Sequence, residues 1–267
     1  MNALERFSLE GKTILLTGGC GLLGRYFAKT LASAGVRVLV SGRNEAACSA
    51  LAEPLGGLGM ELDVADRQSV ANAFSRLADA GERLDGLVNL ASFSAPAAAD
   101  SEASNNDGYD PEMFVRSLQV DLAGTFFCCT EAARIMSAQG SGSIVNVSSI
   151  YGERAPDQSI YEDIVNSDGT PFVKPPGYGA AKAGLANLTQ YLAGRLGRDG
   201  VRVNALVLGG VEDGQNPGFV RRYSERTALG RMARPEDYGA ALVFLLSEAA
   251  SYMTGARLVL DGGWTSF

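Results

Sequence analysis

The chain has 267 residues, 46% of them apolar, enough for one large α/β domain or two small ones. A formal net charge of −7 and an isoelectric point of about 4.8 argue against nucleic acid or an anionic membrane as the main partner. There is no histidine, which removes Ser-His-Asp and Cys-His catalysis and histidine-ligated metal sites together.

Residues 12–17 (KTILLT) are a short apolar run bounded by glycines, the pattern of a buried strand. Gly18-Gly19-Cys20-Gly21-Leu22-Leu23-Gly24 follows, then a helix to about residue 34 and a second strand at 36–41. Gly19, Gly21 and Gly24 fit G-x-G-x-x-G between strand and helix, where bare backbone N–H groups and a helix N-terminus face a diphosphate. A tight turn that simply needs glycine is the competing reading. The second strand ends in Ser41-Gly42-Arg43-Asn44, without a carboxylate for a ribose 2′-hydroxyl and with a cation for a 2′-phosphate. This favours NADP(H) over NAD(H), with Arg43 and Ser41 on the phosphate; the alternative is that Arg43 is a solvated charge opening the next helix.

A third strand at about 58–63 ends in Asp63-Val64, a helix covers 66–81, and a fourth strand at 84–90 leads into Asn89-Leu90-Ala91-Ser92. This rhythm implies a parallel sheet with helices on both faces and ligands beyond the strands' carboxyl ends, where Asp63, Val64, Asn89 and Ala91 fall. The polar stretch 93–109 is expected as a mobile loop near the site mouth. Residues 111–139 read as one long helix, apolar on more than one face at Phe126-Phe127-Cys128-Cys129, which predicts a subunit interface. A strand at 143–148 runs into Ser148-Ser149.

After Pro175-Pro176-Gly177 the chain turns Ala- and Leu-rich, predicting a helix over about 178–196. On it Tyr178 and Lys182 are four residues apart and share a face. A free phenol titrates near pH 10, and a neighbouring cation favours phenolate, bringing the group toward acid/base use. Hydride transfer to a carbonyl develops negative charge on oxygen; a Ser hydroxyl and such a phenol can stabilise it and deliver a proton without histidine or metal. Ser149 as a mere capping serine is the bland reading.

Taken together, Thr17-Gly18 to Gly24, Asp63-Val64, Asn89-x-Ala91, Ser148-Ser149, Tyr178-x-x-x-Lys182, Val201-Arg202-Val203-Asn204 and Asp261-Gly262-Gly263 resemble the short-chain dehydrogenase/reductase family over essentially the whole chain. The resemblance implies an NAD(P)-dependent oxidoreductase acting on CH–OH groups, with a Rossmann-type doubly wound sheet of about seven parallel strands in one domain spanning 1–267. It implies Tyr178 as proton donor or acceptor, Lys182 as its electrostatic partner and nicotinamide-ribose ligand, and Ser149 on the substrate oxygen. The glycine loop from Gly18 through Cys20, Leu22 and Leu23 to Gly24, and Gly209 and Val211 after the sixth strand, would line the coenzyme. Dimers or tetramers are implied, built through the helices at 111–139 and 178–196.

Three positions depart from the family pattern. Leu22 stands where glycine is usual, and the Gly21 spacing looks like the family's longer branch, which acts on nucleotide sugars. Asp121 replaces the usual Asn as fourth member of the catalytic set. Leu208-Gly209 replaces Pro-Gly.

Ser149 and Tyr178 are 29 residues apart, against about a dozen in compact relatives, so 151–177 is an insertion between two site residues. It is expected as a wall or lid of the substrate pocket, or else as packing against a neighbouring subunit. A second pocket stretch, 209–234, carries Arg221, Arg222, Arg226, Arg231 and Arg234. These either attract an acidic or phosphorylated substrate or pair with Glu212, Glu225 and Glu236. The loop, insertion and tail resemble a subgroup from flagellin and surface-sugar modification, implying a sugar or sugar-acid substrate.

Cys20, Cys48, Cys128 and Cys129 lack metal spacing and suit reduced thiols. No run of 18 apolar residues or leader pattern is present, so the expected compartment is the cytoplasm. Two alternatives remain open: a sugar epimerase or dehydratase that regenerates its coenzyme, and a non-catalytic dinucleotide sensor of the same fold.

Overall fold

A computed structural model describes residues 2–93, 110–166 and 169–267. From 94 to 109 the stretch expected at the site mouth lies outside them. The elements alternate through the first half: β1 (Thr13–Thr17), α1 (Leu22–Ser33), β2 (Arg37–Gly42), α2 (Glu45–Ala52), β3 (Leu58–Glu61), α3 (Arg67–Asp79) and β4 (Gly86–Asn89). Then come α4 (Pro111–Ser117), α5 (Thr125–Gln139), β5 (Gly142–Ser149), α6 (Pro176–Leu196), β6 (Val201–Leu208), α7 (Pro217–Glu225), α8 (Glu236–Leu246) and β7 (Arg257–Leu260). The strands form one parallel sheet in the order β3-β2-β1-β4-β5-β6-β7. This is the predicted doubly wound α/β architecture of seven strands.

Strands buried on both faces read as unbroken apolar runs, and all five residues of β1 are buried. Leu15 packs into a core with Leu39, Phe74 and Leu77 on one side of the sheet. Its neighbours Ile14 and Leu16 join Phe27, Leu31, Leu242 and Leu245 on the other. The period of two thus divides the core into one layer against α3, α5 and α6 and another against α1 and α8. Order reverses at β1, whose neighbours are β2 and β4. That is the switch point where such sheets open a crevice at their carboxyl ends.

The helix expected over 111–139 is divided by a π-helical stretch, Leu118–Gly124. Asp121 is central to it, with Thr125 Oγ1 donating to its carbonyl at 2.9 Å. Extra-wide turns of this kind re-aim one side chain out of helical register. Phe126 is 41% exposed on α5, while Cys128 and Cys129 are fully buried. Among the described residues no helix is long and apolar enough to cross a membrane.

The insertion after Ser149 packs within its own chain. Ile150, Ile160 and Tyr161 join Phe219, Tyr223, Met232 and Trp264 in a third apolar cluster over the sheet's carboxyl end. Phe172 lies 5.4 Å from the Tyr161 ring, and Tyr151 Oη and Tyr161 Oη are 2.6 Å apart.

Candidate active site

The β1–α1 turn is built by glycines for reasons of space. Gly18 has φ +67°, and a Cβ there would lie 2.7 Å from Ala91 Cα; one at Gly24 would lie 2.5 Å from the Gly18 and Gly19 carbonyl oxygens. The loop is therefore pressed against the end of β4, and α1 starts in contact with the loop. Gly21 is the N-cap of α1 and offers no capping side chain. The first N–H groups of this helix thus lack a side-chain acceptor, the condition under which a helix start takes an anion.

A cleft of about 800 Å³ opens there. Of the residues predicted to hold a coenzyme, Gly18, Cys20, Gly21, Leu22, Leu23, Gly24, Arg43, Asp63, Val64, Ala91 and Val211 line it. A dinucleotide fits this donor set: uncapped N–H groups, small residues where backbone must approach closely, and a cation beyond β2 with no carboxylate among residues 41–44. Ser92, Arg116 and Val120 also line the cleft, unforeseen from the sequence. In the sequence Arg116 and Val120 carry no signal beyond their place in a helical run.

Six predicted coenzyme residues do not line the cleft: Tyr178 and Lys182 stand beside it, and Ser41, Asn89, Gly19 and Gly209 lie elsewhere. Ser41 is fully buried, and its hydroxyl donates to the Leu16 carbonyl at 3.2 Å, tying β2 to β1 rather than facing a phosphate. Asn89 donates from Nδ2 to Asn146 Oδ1 at 2.9 Å inside the sheet. Gly19 packs its α-carbon against Val40, where a Cβ would meet Cγ1 at 2.6 Å. Gly209 lines a separate cavity of about 230 Å³ with Tyr223, Tyr238 and Asp261.

Beside the cleft, β5 and α6 are joined through Lys182. Its Nζ donates to the Val147 carbonyl at 3.0 Å, and the Ser148 hydroxyl donates to the Lys182 carbonyl at 3.2 Å. Ser149 ends the strand, nearly buried, with Oγ accepting from the Tyr151 N–H at 3.2 Å. Tyr178 stands one turn before Lys182, whose Nζ is 5.6 Å from the phenol ring centroid. Lys182 Nζ is also 3.2 Å from Asp121 Oδ1, with both side chains buried. Asp121 Oδ1 accepts from Ser92 Oγ at 2.5 Å and Oδ2 from the Phe93 N–H at 3.1 Å. The π-helical turn therefore delivers a carboxylate to the lysine, and Ser92 links that pair to the cleft.

The other tyrosines here are shifted away from use as a base. Burial pushes Tyr151 up to about 12, and Tyr161 and Tyr223 rise for the same reason. Tyr178 differs in having two ammonium groups near its ring, for Lys174 Nζ lies 5.1 Å from the centroid. Lys174 was missed because it sits in the non-periodic insertion. The signal was its place four residues before Tyr178, in a chain with only four lysines.

The arginines of 209–234 do not meet Glu212, Glu225 or Glu236. Arg222 pairs with Asp163 at 2.7 Å and Glu162 at 3.1 Å, and Arg226 with Asp157 at 2.5 Å. Arg231 pairs with Asp237 at 2.7 Å. Two of the five thus bind the insertion to α7 rather than presenting charge to a ligand.

Comparison with known proteins finds relatives that match nearly the whole chain. A family model described as Enoyl-(Acyl carrier protein) reductase matches residues 22–265. A cis-4-hydroxycyclohexanecarboxylate dehydrogenase from Sinomonas cyclohexanicum is 35% identical, covering 96% of this chain and 97% of that protein. Post-translational flagellin modification protein A from Campylobacter coli is 32% identical, covering 96% and 99%. Among solved structures, a gluconate 5-dehydrogenase from Burkholderia cenocepacia in complex with NADP and tartrate superposes with a TM-score of 0.85 at 28% identity, covering 100% of both chains.

Proposed function

The chain belongs to the short-chain dehydrogenase/reductase family, and on that premise we propose that it interconverts a hydroxyl and a carbonyl on a small polar, sugar-like or hydroxy-acid substrate, with NADP(H) preferred to NAD(H). The observation that carries the reading is the Tyr178–Lys182 pair anchored to the end of β5 next to Ser149, beside a cleft lined by glycines. When bound, the nicotinamide coenzyme supplies or accepts the hydride. Tyr178 gives a proton to the oxygen on which negative charge develops, or takes one in oxidation, and the Ser149 hydroxyl hydrogen-bonds the same oxygen. The Lys182 ammonium stands beside the phenol ring and would hold the nicotinamide ribose. Arg43 would hold a 2′-phosphate, and the α1 N-terminus would hold the diphosphate.

The substrate class rests on two supports. Relatives are named for a hydroxycyclohexanecarboxylate and for gluconate, both hydroxylated carboxylates. In this chain the insertion adds polar and aromatic groups next to Tyr178. We further assign the exposed Phe126 of α5 and Tyr191 of α6 to contacts in a homodimer or homotetramer acting in the cytoplasm.

The test is a screen of alditols, aldonates and cyclic hydroxy acids with NADP⁺ and NAD⁺, and of the ketones with the reduced coenzymes, followed at the nicotinamide absorbance. Stoichiometric coenzyme turnover with one of these supports the reading. Product formation without net coenzyme change would replace it with the epimerase or dehydratase reading.

A further inference from the structure

We propose that Lys174, carried by the insertion, is the anchor for a carboxylate on the substrate, which makes this a hydroxy-acid site rather than a neutral polyol site. The inference deepens the proposed function and rests on it for the position of the reacting oxygen.

The charges around the insertion single out this lysine. Its described carboxylates each meet an arginine: Glu153 with Arg257, Asp157 with Arg226, and Glu162 and Asp163 with Arg222. Among the described cations of the insertion, Arg154 donates to the Thr265 carbonyl, and Lys174 is left without a polar partner for its side chain. Among the described residues its Nζ makes no hydrogen bond or ion pair, and it lies 5.1 Å from the centroid of the Tyr178 ring. Lys174 is not a loose surface group. Gln158 holds its backbone from both sides, Nε2 donating to the Lys174 carbonyl at 3.2 Å and Oε1 accepting from its N–H at 2.9 Å. The segment bearing Gln158 is fastened to α7 by the Arg222 and Arg226 pairs.

A half-buried ammonium without an anion is costly, because desolvation is not repaid. Its pKa is accordingly lowered, by desolvation first and against the opposing field of Asp121. Asp121 does not satisfy it, since that carboxylate is held by Lys182, Ser92 and Phe93. The missing partner is an anion arriving with the substrate, beside the phenol that handles the reacting hydroxyl. One ammonium suits a monoanion. A phosphate dianion is held best by a bidentate guanidinium or by several cations together, and Arg222, Arg226 and Arg231 are already paired with carboxylates. The ligand is therefore a carboxylate a few bonds from a secondary alcohol.

The experiment measures binding first, by calorimetry on the coenzyme-loaded protein, with acids and neutral analogues of equal chain length: D-gluconate against D-glucitol, tartrate against threitol, glycerate against glycerol. The expected result is tighter binding of the acid in at least one pair by about 10-fold or more, the scale of a hydrogen bond to a charged group. Lys174→Met, which keeps most of the aliphatic stem, should abolish that preference and leave the neutral member within about 2-fold; Lys174→Arg should retain most of it. In turnover, Lys174→Met should raise KM for the acid more than it lowers kcat. Equal binding of acid and neutral members in every pair, or an unchanged acid preference in Lys174→Met, would overturn the assignment. Lys174-dependent acid binding without turnover of any hydroxy acid would leave this site standing and sink the proposed function. Tyr178-dependent turnover without acid preference would do the reverse.

Discussion

Lys182 Nζ and Asp121 Oδ1 are 3.2 Å apart, with 4% and 0% of their side chains exposed. A buried pair of this kind is held by all its partners or fails: removing one charge strands the other, at about 3–5 kcal/mol. Asp121→Ala should therefore fold poorly or lose stability on that scale, measured by denaturant unfolding. Asp121→Asn keeps one acceptor oxygen for Ser92 and Lys182, loses the acceptor for the Phe93 N–H, and should cost less than the alanine.

The glycine loop makes a contrast between two glycines. A methyl at Gly24 would sit 2.5 Å from two backbone carbonyl oxygens, whereas one at Gly21 would find its nearest atom at 3.4 Å. Gly24→Ala should destabilise the free protein by about 1–3 kcal/mol, the usual cost of overpacking. Gly21→Ala should leave its melting temperature nearly unchanged while weakening dinucleotide affinity, because the cleft lies over that residue.

Arg43 lines the cleft, and Ser41 is turned away from it. Arg43→Ala should weaken NADP⁺ binding about 10- to 100-fold, the scale of a charge-assisted hydrogen bond, and leave NAD⁺ nearly unaffected. Ser41→Ala should not alter coenzyme preference. Titration of both variants with both coenzymes checks the pair.

Lys174 gives predictions for pH and for stability. Its pKa is lowered by desolvation, so the ammonium is lost below the ordinary lysine range. Carboxylate affinity should fall as pH rises through that lowered value, and Lys174→Arg should carry the affinity to higher pH. Between the lowered folded value and the ordinary unfolded one, the unfolded chain binds the additional proton, so this residue's cost to stability shrinks as pH rises. Lys174→Met should accordingly stabilise the free protein near neutrality by about 0.5–2 kcal/mol, the common gain when a functional site's strain is removed. Thermal melts at neutral and alkaline pH test this, with the difference narrowing in alkali.

Much of this was readable in the chain because it depends on local period and spacing. Strands such as 13–17 are apolar at every position because a parallel sheet is covered on both faces. Tyr178 and Lys182 meet because a helix brings i and i+4 together. What escaped depends on tertiary direction. Asn89 ends the right strand, yet its amide turns inward to Asn146 on a strand 57 residues later. Arg222 and Arg226 find carboxylates about 60 to 70 residues away rather than the nearby glutamates, and no charge pattern along the sequence reveals that. The π-helical turn that delivers Asp121 to Lys182 is likewise set by what Ser92, Phe93 and Lys182 hold in place.

The most direct measurement of the central claim is the Tyr178→Phe variant, assayed for coenzyme affinity and for turnover in the same preparation. Loss of turnover by about 10³-fold or more, with NADP⁺ affinity within about 2-fold of wild type, is the predicted result, since the ring stays and only the proton-bearing oxygen goes. Turnover that survives the substitution, or a wild-type protein that binds neither nicotinamide coenzyme, would contradict it.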